Sequence, residues 1–134
     1  MRLLLDTHIF LWYISGDAQL PEDLRAAIRD PANEVFLSVA SNWEAVIKHG
    51  LGKLPLPAPP AEYLPQEREA HRIASLVIEE AALGHLAALP PQHRDPFDRL
   101  LVAQALQHGL TLVTVDEALR AYSVPLLPSA EFRH

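Results

Sequence analysis

There is no cysteine among the 134 residues, so the chain can build neither a disulfide framework nor a thiolate metal site. It also lacks any apolar run long enough to cross a membrane, because the longest stretches are broken by Asp, His, Gly or Pro. Arg2-Leu3-Leu4-Leu5 ends at Asp6, which is too short for the apolar region of a signal peptide and reads as a strand. These absences together predict a cytoplasmic protein with no membrane association. An excess of positive charge is missing too. A formal net charge of −6 excludes a general nucleic-acid coat that relies on phosphate attraction. It does not exclude a nuclease, because an acidic site that binds divalent cations is negative until the ion arrives and inverts the local field.

What the chain has in plenty is apolar surface. With 49% hydrophobic residues over 134 positions, residues 1–134 are expected to form one domain with a real core. Arg2 to Leu5 predicts a strand, followed at once by a helix over Thr7 to Ile14 that Ser15-Gly16 stops. A second helix is predicted from Pro21 to Asp30-Pro31, with Glu22 and Asp23 in its first turn. Val35 to Val39 reads as a buried strand, and Ser41 to His49 as a helix with Gly50 past its end. Five of the 12 prolines fall at 55, 57, 59, 60 and 65, which predicts an extended connection into a polar helix around Glu67 to Arg72. Beyond it come a strand over Ile73 to Ile78, a helix over Glu79 to Leu89, and the strongest helix, Asp98 to His108, ended by Gly109. Leu110 to Val115, a short helix over Asp116 to Tyr122, and a fifth strand over Val124 to Leu127 complete the pattern. Strands alternating with helices imply right-handed crossovers, hence an α/β fold with a mostly parallel twisted sheet of four to five short strands covered on both faces.

In an open parallel sheet, ligands bind beyond the carboxyl ends of the strands. Asp6 directly follows the first strand and Asp116 follows Val113-Thr114-Val115. Crossover helices bring their N-termini back to that same edge, where Glu44 and Asp98 fall in predicted first turns. Each acid has an ordinary structural role open to it. Glu44 with Ser41 fits a Ser-x-x-Glu capping box, Asp95 before Pro96 fits an N-cap, Asp98 complements a helix dipole, and Asp116 suits a turn or cap. Asp6 is harder to place, because it ends an apolar strand where a buried charge needs a partner. Four like charges on one rim repel unless protonated or bridged by a cation, which favours metal binding. Oxygen ligands without cysteine point to Mg²⁺ or Mn²⁺ rather than zinc. The seven histidines form no H-x-x-x-H or H-E-x-x-H pattern, and His8 is expected to pack or cap beside Asp6 rather than act in catalysis. Lys48, four residues after Glu44, is either a surface ion pair worth about 0.2–0.5 kcal/mol or a group that orients Glu44 or meets a phosphate.

The segments LLLDTHIFLW (3–12), SVASNWEAVIKHGLGKL (38–54), LPPQHRDPFDRLLVAQAL (89–106) and LVTVDEALRAYSVPLL (112–127) resemble the PIN-domain ribonucleases, specifically the VapC-like toxins of toxin–antitoxin pairs. The resemblance spans nearly the whole chain, in the family's order and spacing. It implies a PIN-like fold and metal-dependent endonucleolytic cleavage of RNA, with Asp6, Glu44, Asp98 and Asp116 as the catalytic, metal-holding acids. Asp98 is matched to the acid at the start of the family's fourth major helix. Asp95, Thr7 and Lys48 are then the supporting side chains. It further implies a homodimer and inhibition by a cognate antitoxin. Trp12, Trp43, Leu51, Leu54 and Leu56 are the apolar residues expected to need a partner. The competing expectation is a PIN-like module that has lost catalysis and only binds a partner protein. Other carboxylate-bearing α/β folds fit less well. A haloacid-dehalogenase-like phosphatase needs an Asp at position 8, a receiver domain needs one after Ile78, and a dinucleotide-binding domain needs glycines after the first strand.

Overall fold

The computed structural model describes residues 1–91 and 95–128. Five strands, β1 (Arg2–Leu5), β2 (Glu34–Ser38), β3 (Ala74–Leu76), β4 (Thr111–Val113) and β5 (Leu126–Leu127), form one sheet in the order β3-β2-β1-β4-β5. Every pairing is parallel, with Leu3 beside Val35 on one side and Thr111 on the other. Among the described residues the helices are α1 (Thr7–Ser15), α2 (Glu22–Arg29), α3 (Val39–Gly50), α4 (Pro60–Ala70), α5 (Glu80–Ala88) and α6 (Pro96–His108), with a 3-10 turn at Glu117–Ala121.

Alternation along β1 splits the core in two, since successive side chains of a strand face opposite sides. Leu3 and Leu5 pack with Ile9, Phe10, Leu24, Ile28 and Leu64 from α1, α2 and α4. Leu4 packs on the other face with Ala82, Leu101, Val102 and Ala105 from α5 and α6. The sheet is therefore covered on both sides, which is why its strands read as continuous apolar runs. No helix among the described residues is long and apolar enough to cross a membrane.

The structure corrects the expected connection at 55–65. Helix α4 begins at Pro60 and runs through Pro65, so only the part before residue 60 lies outside a helix. Pro60 occupies the first helical turn, where its missing N–H costs nothing. Pro65 lacks the N–H that would bond within the helix, but its neighbour Leu64 is fully buried, and that burial outweighs the local break. The third strand is also shorter than expected. It ends at Leu76, leaving Val77 and Ile78 exposed. The fourth and fifth strands contract at their ends in the same way.

Helix α3 starts earlier than the sequence pattern suggests, and this changes the role of Ser41. Ser38 is the N-cap, and its Oγ accepts from the Ala40 N–H at 3.0 Å. Ser38 Oγ also bonds Gln104 of α6, a partner 66 residues away. The expected capping box between Ser41 and Glu44 does not form, and Glu44 falls in the second turn rather than the first. The strongest helix agrees with its local signals. Asp95 caps α6 by accepting from the Phe97 and Asp98 N–H groups at 2.9 and 3.3 Å, and Gly109 ends it with φ of 65°.

Candidate active site

A cleft of about 330 Å³ opens beyond the carboxyl ends of β1 and β4, lined by Asp6, His8, Trp12, Glu44, Lys48, Asp95, Asp98, Val115 and Asp116. All four acids singled out from the sequence border it, as do Asp95 and Lys48. Thr7 stands one layer behind, buried against Glu44.

Each acid reaches the cleft for a separate local reason. Asp6 occupies the N-cap position of α1 but makes no side-chain cap bond, leaving its carboxylate turned to other partners. Its Oδ2 accepts from the Thr114 hydroxyl at 2.7 Å. The same Thr114 oxygen accepts from the Asp116 N–H at 3.0 Å, so one side chain joins the ends of β1 and β4. Asp116 Oδ1 caps the 3-10 turn by accepting from the Ala118 N–H at 3.0 Å, and its carboxylate still borders the cleft. Asp98 lies in the first turn of α6 and is 8% exposed.

Glu44 is the most enclosed of the four, at 3% exposure. Thr7 Oγ1 lies 2.7 Å from Glu44 Oε1 and 2.8 Å from Ser41 Oγ. A hydroxyl has one proton to give, so Thr7 donates to the carboxylate and accepts from Ser41. The other oxygen, Oε2, accepts from Lys48 Nζ in a close ion pair on the same helix face. Because the Glu44 side chain is almost fully buried, this is not the solvated i,i+4 pair that the spacing alone describes.

Burial pushes the Asp6 carboxyl above the ordinary carboxylate range. The Thr114 hydrogen bond and the His8 charge pull it back only in part. Burial acts against the Lys48 ammonium, but its hydrogen bond to Glu44 and the charges of Glu44, Asp95 and Asp98 prevail and hold it above the usual lysine value. The cleft thus concentrates negative charge and keeps one lysine charged within it.

Among the described residues no three carboxylate or histidine groups stand close enough to form a ready-made cage for one ion. The donor set nevertheless fits a hydrated hard cation. Mg²⁺ keeps several waters and takes one or two carboxylates directly, and a cleft of about 330 Å³ has room for that shell. One contributor was not singled out from sequence, Thr114, and its place just ahead of Asp116 is a faint positional trace. Ser41 was read only as a capping partner of Glu44, whereas its hydroxyl meets Thr7, a partner far along the chain.

Residues 3–125 match the PIN domain, and the chain belongs to that family. It is 32% identical to Ribonuclease VapC22 of Mycobacterium tuberculosis over 124 residues, covering 92% of this chain and 93% of that protein. A second relative from the same organism, Ribonuclease VapC16, is 37% identical over 71 residues, a match spanning 53% of this chain and 50% of that protein. The fold is shared with VapBC2 from Rickettsia felis, solved bound to a DNA fragment from its promoter. The TM-score there is 0.70, with 16% identity and coverage of 94% of this chain and 97% of that one.

Proposed function

We propose that this protein is a metal-dependent endoribonuclease that hydrolyses RNA phosphodiester bonds with Mg²⁺ or Mn²⁺, and that it is the toxin of a toxin–antitoxin pair. The whole chain is read as one PIN domain working in the cytoplasm, a compartment that suits a sequence without cysteine. The observation that carries the reading is the meeting of Asp6, Glu44, Asp98 and Asp116 around one cleft in a PIN-family chain.

Asp6, Asp98 and Asp116 are the residues to hold the ion, Glu44 being the fourth acid within reach. A divalent ion there shields the charge that develops on the phosphate and makes water more acidic. Thr7 pins Glu44 Oε1, so Oε2, which also accepts from Lys48, is the atom left to orient an attacking water and take its proton. Thr114 fixes Asp6 in rotation by its bond to Oδ2, on the rim of the cleft. Asp95 serves α6 as its cap, which sets the direction in which Asp98 points.

Two surfaces suit the proposed partners. A groove of about 390 Å³ runs between α1 and residues 54–57, lined by Leu11, Ile14, Leu54 and Leu56, and it shares His8 and Trp12 with the acidic cleft. An antitoxin segment lying there would deliver an Arg or Lys among the carboxylates, where it competes with the ion. The outer face of α3 carries Trp43 at 54% exposure with Val46 and Ile47, continued past its end by Leu51 at 64%, and a second copy of the chain is the proposed cover.

Incubation of purified protein with RNA tests the central reading. Cleavage should appear with Mg²⁺ or Mn²⁺ and stop in EDTA. Full activity in chelator would overturn the carboxylate mechanism, and no cleavage with any divalent ion would favour a module that only binds a partner.

A further inference from the structure

We propose that Lys48 is a tethered counter-ion, a built-in ammonium that pairs with Glu44 in the metal-free cleft and competes with a divalent ion for that carboxylate. The inference rests on the reading that the acids bind metal and adds a regulator of that same site.

The geometry sets this lysine apart from a solvated surface partner. It lines the acidic cleft together with Asp6, Asp95, Asp98 and Asp116, while its own side chain remains 37% exposed. Its ammonium meets Glu44 Oε2, and Thr7 already takes Oε1, so both oxygens of a nearly buried carboxylate are engaged. Leaving that carboxylate buried without a cation would be costly, and Lys48 removes the cost. Glu44 and Lys48 line the same cleft, so an ion or its water approaching Oε2 from the cleft would meet the ammonium already bonded to that oxygen. A divalent ion near Oε2 and an ammonium on the same oxygen repel each other at a few ångströms. One must yield, and only the lysine has a flexible, partly exposed stem on which to leave. The metal-free state is thereby stabilised, and metal affinity is lowered by the same amount.

Removing the ammonium should therefore tighten metal binding. Calorimetric titration of the full chain with Mn²⁺ at neutral pH is expected to show Lys48→Met binding about tenfold or more tightly than wild type. Lys48→Arg, which keeps the charge, should stay near wild type. Without metal, Lys48→Met should melt at a lower temperature and gain more from added Mn²⁺ than wild type does. Lys48→Gln is the second uncharged variant should Lys48→Met fold poorly. Equal or weaker Mn²⁺ affinity in the uncharged variants overturns the counter-ion role while leaving the metal reading standing. No Mn²⁺ binding by wild type or variants overturns both.

Discussion

Helices α3 and α6 lie against each other, with Trp43 and Phe97 in edge-to-face contact at 5.0 Å, yet they are built on opposite plans. Helix α6 buries Leu100, Leu101, Val102, Ala103 and Ala105, and its one fully buried polar side chain, Gln104, is paired with Ser38 and with the Val77 carbonyl. Helix α3 buries Ser41 and Glu44 among its alanines and turns Trp43, Val46 and Ile47 outward, with Leu51 exposed just past its end. Apart from the buried Asp98 at its start, folding alone accounts for α6, down to its Asp95 cap and Gly109 terminator. Folding alone does not account for α3, since burying a carboxylate and exposing a tryptophan both act against the stability of an isolated chain. Its inner face makes sense as part of a charged site, and its outer face as a surface to be covered.

The sharpest test of this contrast lies in the first turn of α6, where a site residue and a cap stand three positions apart. Asp98→Asn should reduce RNA cleavage by on the order of 1000-fold, because several kcal/mol of ion-borne stabilisation goes with the charge. Asp95→Asn should cost about tenfold or less, because Asn caps a helix nearly as well as Asp. Single-turnover cleavage with Mn²⁺ measures both. An inactive Asp95→Asn beside an active Asp98→Asn would exchange their assignments.

If α6 is a folding helix and the outer face of α3 is not a folding surface, core and stripe should respond differently to truncation. Leu101→Ala should destabilise the protein by about 2–5 kcal/mol in denaturant titration, because Leu101 is fully buried. Val46→Ala, at a half-exposed position, should change monomer stability by less than about 0.5 kcal/mol. A large loss at Val46 would place that face inside the fold's own energetics.

Light scattering addresses the covering partner. Wild type at micromolar concentration should have twice the chain mass, and Trp43→Glu should bring it to the monomer, since a buried interface tryptophan is commonly worth about 2 kcal/mol or more. A monomeric wild type would break the proposed link between the α3 stripe and a second copy.

The smallest expected effect is a gain at the site itself. The Asp6 carboxyl is raised above its ordinary value of 3.8, so the folded state binds its proton more tightly than the unfolded state. The metal-free protein should therefore lose stability as pH rises from that value through the raised one, and the penalty should then stay constant at higher pH. Asp6→Asn removes the penalty and still accepts the Thr114 hydrogen bond, so at neutral pH the variant should unfold later than wild type in EDTA. The two should converge below about pH 4. A variant less stable at neutral pH would mean that the ionised Asp6 is stabilised by its neighbours after all.

Sequence by itself determined the α/β alternation, the parallel sheet and the gathering of acids at one edge. Strand and helix periods are local properties, and right-handed crossovers then dictate which element ends meet. The Asp95-Pro96 start and Gly109 stop of α6 were legible for the same reason, since caps depend on a few adjacent residues. Residues 92–94, within one of the family-like segments, lie outside the described residues. Tertiary structure alone decided that Ser38 rather than Ser41 caps α3, through a bond to Gln104, and that α4 continues past Pro65 to seat Leu64 in the core. It also decided that Glu44 is held from both sides, by Thr7 across 37 residues and by Lys48 across one helical turn. The Thr114 bond to Asp6 spans 108 residues. Only the Glu44–Lys48 pair falls within a short window, where its i,i+4 spacing was legible; the Thr7 and Thr114 pairs fall in none. The long-range pairs exist because hydroxyls buried beside carboxylates have no water to turn to and must satisfy them.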